Sequence, residues 1–126
     1  MDTKTAVILP CETCIIDTNS RVSIINVFET LLIEKFPFRY PFWVYAYIRG
    51  WEGQHKMRVS YKDPQNNTQD IGEIEFNFSS NRLTQTYVNR LDPEFNQYGE
   101  YIFYLYIDGE CIAENFFSVI PPTEKE

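Results

Sequence analysis

The stretch Gln97-Tyr98-Gly99-Glu100-Tyr101-Ile102-Phe103-Tyr104-Leu105-Tyr106-Ile107-Asp108-Gly109-Glu110 decides the fold class of this chain. It joins a run of β-branched and aromatic residues to a second run, Cys111 to Val119, through Asp-Gly. Asp-Gly between two such runs is a strong local hairpin signal, because Gly accepts positive φ and Asp tolerates it. An isolated hairpin is not stable in water, so this one needs a second sheet over its apolar face.

Two loop lengths give two different buried faces. A two-residue loop pairs Ile107 with Glu110 and sets Phe103 opposite Glu114, mixing charge into the apolar side. A three-residue loop of Ile107, Asp108 and Gly109 pairs Tyr106 with Glu110, Leu105 with Cys111 and Phe103 with Ala113. The second choice keeps Glu100, Glu110 and Glu114 in water and is the register expected. Its buried set is Tyr101, Phe103, Leu105, Cys111, Ala113, Phe117 and Val119.

Similar strands fill the rest of the chain. Ala6 to Ile16 reads as a strand that Pro10 confines to a sheet edge or a bulge. Val22 to Ile25 follows the turn formers Asp17-Thr18-Asn19-Ser20. Asn26 to Lys35 fits either a capped helix, with Glu29 three residues after Asn26, or one long strand alternating through Val22, Ile24, Phe28 and Leu32. The strand is the expected form, since Val, Ile, Phe and Thr favour it. Phe42, Val44, Ala46 and Ile48 alternate with Trp43, Tyr45 and Tyr47 after the Phe36-Pro37 connection. Lys56 to Lys62, Ile74 to Phe78 and a polar edge strand from Thr84 to Leu91 complete the pattern. About eight strands at intervals of roughly 8–12 residues predict an all-β, antiparallel β-sandwich. Gly99-Glu100-Tyr101 also fits the tyrosine corner of immunoglobulin-like domains. One domain over residues 1–120 and a charged tail over 121–126 are expected at this length of 126 residues.

The order of Leu9-Pro10-Cys11-Glu12, Phe36-Pro37, Asp63-Pro64 and Tyr98-Gly99-Glu100-Tyr101 before Asp108-Gly109-Glu110 resembles a family of small bacterial proteins of unknown function. Asn26 stands where that pattern has Gly. The resemblance implies a β-sandwich of bacterial or phage origin and carries no catalytic residues to transfer.

Composition narrows the function classes. Eighteen acidic against eleven basic residues leave a net charge of -7, which opposes binding to nucleic acid or anionic lipid. No apolar run approaches the ~20 residues that span a bilayer, and the first ten residues lack the features of a secretory signal. Three cysteines, an odd number, argue against a disulfide framework and for a cytoplasmic protein.

Candidate chemistry is sparse. Cys11-Glu12-Thr13-Cys14 has the spacing of half a zinc site, but residues three apart on a strand face opposite ways. The pair therefore reads as near-core packing. His55 after Gly53 reads as a solvated loop residue without a nucleophile beside it. Asp17, Glu52, Asp63 and Asp70 read as turn residues whose spacing matches no calcium loop. No catalytic, metal or cofactor site is expected. Aromatic residues, 17% of the chain, form the more informative group. Trp43, Tyr45, Tyr47, Trp51, Tyr104 and Tyr106 fall on non-core faces and predict an interaction face, since such side chains bury area at low entropic cost. The function expected is a non-catalytic binding or assembly module, contacting a protein partner or a second copy through an aromatic sheet face or a sheet edge. A carbohydrate- or small-ligand-binding sandwich is the alternative.

Overall fold

The computed structural model describes residues 4–19, 21–78 and 84–122, so Ser20 and the tail from residue 123 lie outside the described residues. No described residue is helical. The strands in chain order begin with β1 (Thr5–Ile16), β2 (Val22–Val27), β3 (Thr30–Leu32), β4 (Phe38–Arg39), β5 (Phe42–Arg49) and β6 (Gly53–Lys62). They continue with β7 (Thr68–Phe78), β8 (Thr84–Leu91), β9 (Glu94–Phe95), β10 (Gly99–Ile107) and β11 (Glu110–Ile120). Among the described residues eleven strands thus stand where about eight were expected. The additional ones include β3, β4 and β9, pieces of two or three residues formed where connections lie against other chain.

A four-stranded sheet has the order β2-β1-β5-β8, and a five-stranded sheet the order β3-β11-β10-β6-β7. β4 and β9 form a separate small ladder. All pairings are antiparallel except that of β3 with β11. The larger sheets share one core because each presents alternate residues to the other. Phe42, Val44, Ala46 and Ile48 of β5 are all fully buried, as are Phe103, Leu105 and Phe117 of the opposing sheet. Phe42 meets Phe103 and Phe117 edge-on, with ring centroids 5.9 and 5.6 Å away. Each such buried side chain contributes about 1.5–3 kcal/mol relative to exposure.

The β10–β11 hairpin takes the two-residue loop, which corrects the expected register. Asp108 has φ 52° and Gly109 φ 87°, both positive as the tight primed turn requires. Ile107 pairs with Glu110 and Tyr106 with Cys111. A bulge then shifts the register so that Leu105 faces Ala113, leaving Ile112 as the extra residue. One extra residue reverses parity, so Glu114 pairs with Tyr104 on the outer face while Phe117 and Val119 stay buried. Charge is kept out of the core by the bulge rather than by a longer loop. Cys111 and Ala113 accordingly leave the buried set: Cys111 is exposed and Ala113 half-buried. Asn115, opposite Phe103, uses its amide to bond the Ile8 carbonyl of the other sheet at 3.0 Å.

Residues 26–35 are not helical, and the single long strand expected there is broken in two. Asn26 adopts φ 59° within β2, which runs only one residue further, to Val27. Phe28 then enters the core, 5.2 Å from Phe117 and 5.5 Å from Phe42. The chain crosses from one sheet edge to the other and pairs as β3 with β11. The break also changes parity, burying Leu31 and Ile33 and exposing Leu32.

β1 lies inside its sheet rather than at an edge, yet Pro10 is accommodated. β5 pairs with Thr5 to Cys11 and β2 with Cys11 to Ile16. At Pro10 only β5 is alongside, so the strand is locally an edge where the missing donor falls. β8 is an edge strand, as its polar sequence predicts. The Tyr101 hydroxyl donates to the Gln97 carbonyl at 2.9 Å, tying down the loop that enters β10.

Candidate functional site

Register places Trp43, Tyr45 and Tyr47 on the outer face of the four-stranded sheet, each half-buried by its neighbours. Tyr45 lies between Leu9 and Val88, and Tyr47 between Val7 and Thr86. Trp43 is flanked by Cys11 and Arg90, and beyond Cys11 the row continues to Val27 on edge strand β2. Ile25 pairs with Thr13 in the next row. Ile25 and Val27 are 39% and 52% exposed, so the apolar surface runs out to the unpaired edge.

Charge is nearly missing from this surface. Among the described residues at outward register positions there is no carboxylate, and Arg49 and Arg90 carry the charge. Glu12, the one acid of β1, breaks the pattern and is engaged elsewhere: its carboxylate accepts from the Asn26 amide at 2.7 Å and the Tyr40 hydroxyl at 3.2 Å. Burial, then the neighbouring Tyr47 and Cys14, push the Tyr45 hydroxyl above its ordinary pKa, so it stays neutral at physiological pH.

The six aromatic residues expected to form one interaction face do not meet. Tyr104 and Tyr106 belong to β10, in the other sheet, and point away from Trp43, Tyr45 and Tyr47. Their rings already carry cations: the Arg58 guanidinium sits 4.0 Å from the Tyr106 ring and Lys62 Nζ 5.6 Å from Tyr104. Arg58 and the buried Ser60 hydroxyl both donate to Asp70 Oδ1, at 2.9 and 2.6 Å. Asp70 therefore lies in β7 and not in a turn, and these two bonds hold its carboxyl below the usual carboxylate range. Trp51 lies in the β5–β6 connection, half-buried against the core, with Lys4 Nζ 5.2 Å from its ring. Asp17 and Asp63 do cap their turns through backbone N–H donors, as expected of turn residues.

Two polar pairs depart from expectation. His55 is a β6 residue, its side chain 20% exposed, and not a solvated loop residue. Its Nδ1 lies 2.6 Å from Asp108 Oδ2 and its Nε2 2.6 Å from the Glu52 carbonyl oxygen. Cys11 and Cys14, expected on opposite faces, have their sulfurs 3.3 Å apart and are both buried. The β1–β2 ladder skips Glu12, opposite Asn26 in its left-handed conformation, between the two cysteines. Burial and the adjacent Cys14 thiol push Cys11 up to about 12.

A cleft of about 360 Å³ opens between Tyr61, Asp63, Gln69 and the β8–β9 connection. Among the described residues, no group of three or more His, Cys, Asp or Glu side chains could hold a metal ion. No helix among them is long and apolar enough to cross a membrane.

Local alternation in the sequence places Trp43, Tyr45 and Tyr47 on the face opposite Phe42, Val44, Ala46 and Ile48, as the structure does. It misses Ile25 and Val27, whose outward placement depends on pairing with β1, and the two polar pairs, of which His55 and Asp108 lie on strands distant in sequence.

The class defined by these features is an all-β protein of several sheets with one charge-poor outer face. DUF6941, described as a family of unknown function, matches residues 6–120, and the chain belongs to that family. No curated protein and no solved structure matches the chain significantly.

Proposed function

We propose that this chain is a non-catalytic binding or assembly module, an immunoglobulin-like β-sandwich that contacts protein through the outer face of β2, β1, β5 and β8. The observation that carries this reading is the lack of any carboxylate at the described outward positions, in a chain of net charge -7. An idle surface in so acidic a protein would share its acids. A face holding Trp43, Tyr45 and Tyr47, continued by Ile25 and Val27, has the depleted charge and aromatic content of an interface core. The unpaired edge of β2 adds backbone donors and acceptors for a partner strand. A bacterial, cytoplasmic setting belongs to the same reading and draws on the odd number of cysteines and the family resemblance.

A sugar-binding platform is less well supported. The tyrosines of the opposite sheet that would stack on a sugar ring are already covered by Arg58 and Lys62.

Light scattering across a concentration series and affinity capture test the proposal, with Tyr45→Glu and Trp43→Ala as variants. Self-association or capture of a defined protein should be lost in both variants while the melting temperature is kept. A protein that stays monomeric at high concentration, and captures nothing that depends on Trp43 or Tyr45, would overturn it.

A further inference from the structure

We propose that Cys11 and Cys14 form a thiol pair that small-molecule disulfides oxidise reversibly to an intramolecular disulfide. Three observations converge on this site. The sulfurs already lie 3.3 Å apart, so bond formation at about 2.05 Å needs a closing of only about 1.25 Å. The β1–β2 ladder has a gap between them, at Glu12 opposite Asn26 with its left-handed backbone. Neither thiol is matched by a third sulfur, imidazole or carboxylate that would make a metal site among the described residues.

Exposure sets the order of events. Cys11 is fully buried and Cys14 8% exposed, so Cys14 is the sulfur that an incoming disulfide reaches first. With oxidised glutathione, the Cys14 thiolate attacks one sulfur, the glutathione S–S bond breaks, and one glutathione thiolate leaves. Cys11 then loses its proton and attacks Cys14 Sγ. The Cys11–Cys14 bond forms and the second glutathione departs. Two protein thiols have lost two electrons, one external disulfide has become two thiols, and the two protons end on the released glutathione. Because the Cys11 thiol is buried, the second step is the slow one. The bond would tighten β1 directly beside Val27 and Ile25, at the edge of the apolar face. Its formation does not depend on that face binding anything.

Cys111 is exposed and would confuse the measurement, so the experiment uses the folded Cys111→Ser protein incubated with oxidised glutathione and followed by intact mass and peptide mapping. The expected result is a loss of about 2 Da, localised to a Cys11–Cys14 link and reversed by dithiothreitol. Cys11→Ala in the same background, with its fold checked by circular dichroism, should instead stop with one glutathione on Cys14. Should Cys11→Ala fail to fold, the Cys111→Ser mass and map decide alone. Three outcomes would overturn the proposal: both thiols still open to alkylation after denaturing the treated sample, a stable glutathione adduct with Cys11 present, or a 2 Da loss that appears only when oxidation is carried out in denaturant.

Discussion

His55 Nδ1 lies 2.6 Å from Asp108 Oδ2, joining the start of β6 to the turn of the β10–β11 hairpin. The other ring nitrogen lies 2.6 Å from the Glu52 carbonyl oxygen. A carboxylate and a carbonyl can only accept, so both contacts are hydrogen bonds at once only when the ring is the imidazolium. The bond to Asp108 is the main cause that raises the His55 pKa, while burial and Lys4 oppose it and Phe76 packs on the ring. Asp108 is lowered in turn, by His55 first and then by the Lys56 N–H at 2.9 Å.

A raised histidine pKa stabilises the fold fully below the unfolded value of 6.5, and that contribution is lost as pH rises through the folded value. Asp108 acts in the other direction: its contribution is present above 3.8 and lost as pH falls through its lowered folded value. Asp108→Asn keeps a residue that tolerates φ 52° but removes the charge. Melting curves from pH 5 to 9 should show the wild-type advantage over Asp108→Asn shrinking above about pH 6.5. The His55 imidazole, followed by NMR, should titrate lower in the variant. Identical titration midpoints would show that the pair carries no linkage.

Gly109 sits at φ 87° with open space where a Cβ would go, so only backbone strain opposes a side chain there. Gly109→Ala should cost about 1–2 kcal/mol, and Gly109→Asn clearly less, because Asn visits the left-handed region. Urea denaturation of the two variants checks the order. Equal losses would mean that the turn relaxes into another type.

Tyr101 combines a ring stacked on Phe117, with centroids 5.5 Å apart, and a hydroxyl bonded to the Gln97 carbonyl. Tyr101→Phe keeps the first and removes the second. The expected loss is about 0.5–1.5 kcal/mol, the net value of one such hydrogen bond. Faster amide exchange over residues 96–99 should accompany it. A loss without that local change would place the effect elsewhere.

What could be read in the sequence was local. β5 is legible because Phe42, Val44, Ala46 and Ile48 alternate without a break, and period two admits one pairing of faces. The hairpin was half legible. Asp108-Gly109 marks the turn, but the three-residue length follows only if the strands pair without interruption. The bulge at Ile112 reconciles the tight turn with the apolar face, and no residue type there announces it. Alternation alone keeps Phe28 in a continuing strand, whereas β2 ends at Val27, one residue after the left-handed Asn26. Separation of Tyr104 and Tyr106 from Trp43 depends on strand order, a property of pairings between residues far apart in the chain. Gly53 carries a turn signal that puts His55 in a loop, whereas β6 starts at that glycine.

Gly72 carries a constraint that the sequence does not show, because its reason lies on a strand of the other sheet. A Cβ at Gly72 would come 1.7 Å from the Tyr87 hydroxyl and 2.5 Å from its ring carbon. That hydroxyl donates to the Ile71 carbonyl at 3.2 Å, and the Asn89 amide reaches the same oxygen at 3.0 Å. β8 is thus held to β7 through one carbonyl, with Tyr87 lying in the space that Gly72 leaves. Gly72→Ala must push the ring away and should cost about 1–3 kcal/mol, the usual penalty of overpacking. Tyr87→Ala alone loses the ring and the bond, but it also empties the space. Gly72→Ala should then cost far less in the Tyr87→Ala background than in the wild type, giving a coupling of at least about 1 kcal/mol in a double-mutant cycle. Additive losses in urea denaturation would mean that the strand, and not the tyrosine, sets the requirement for glycine.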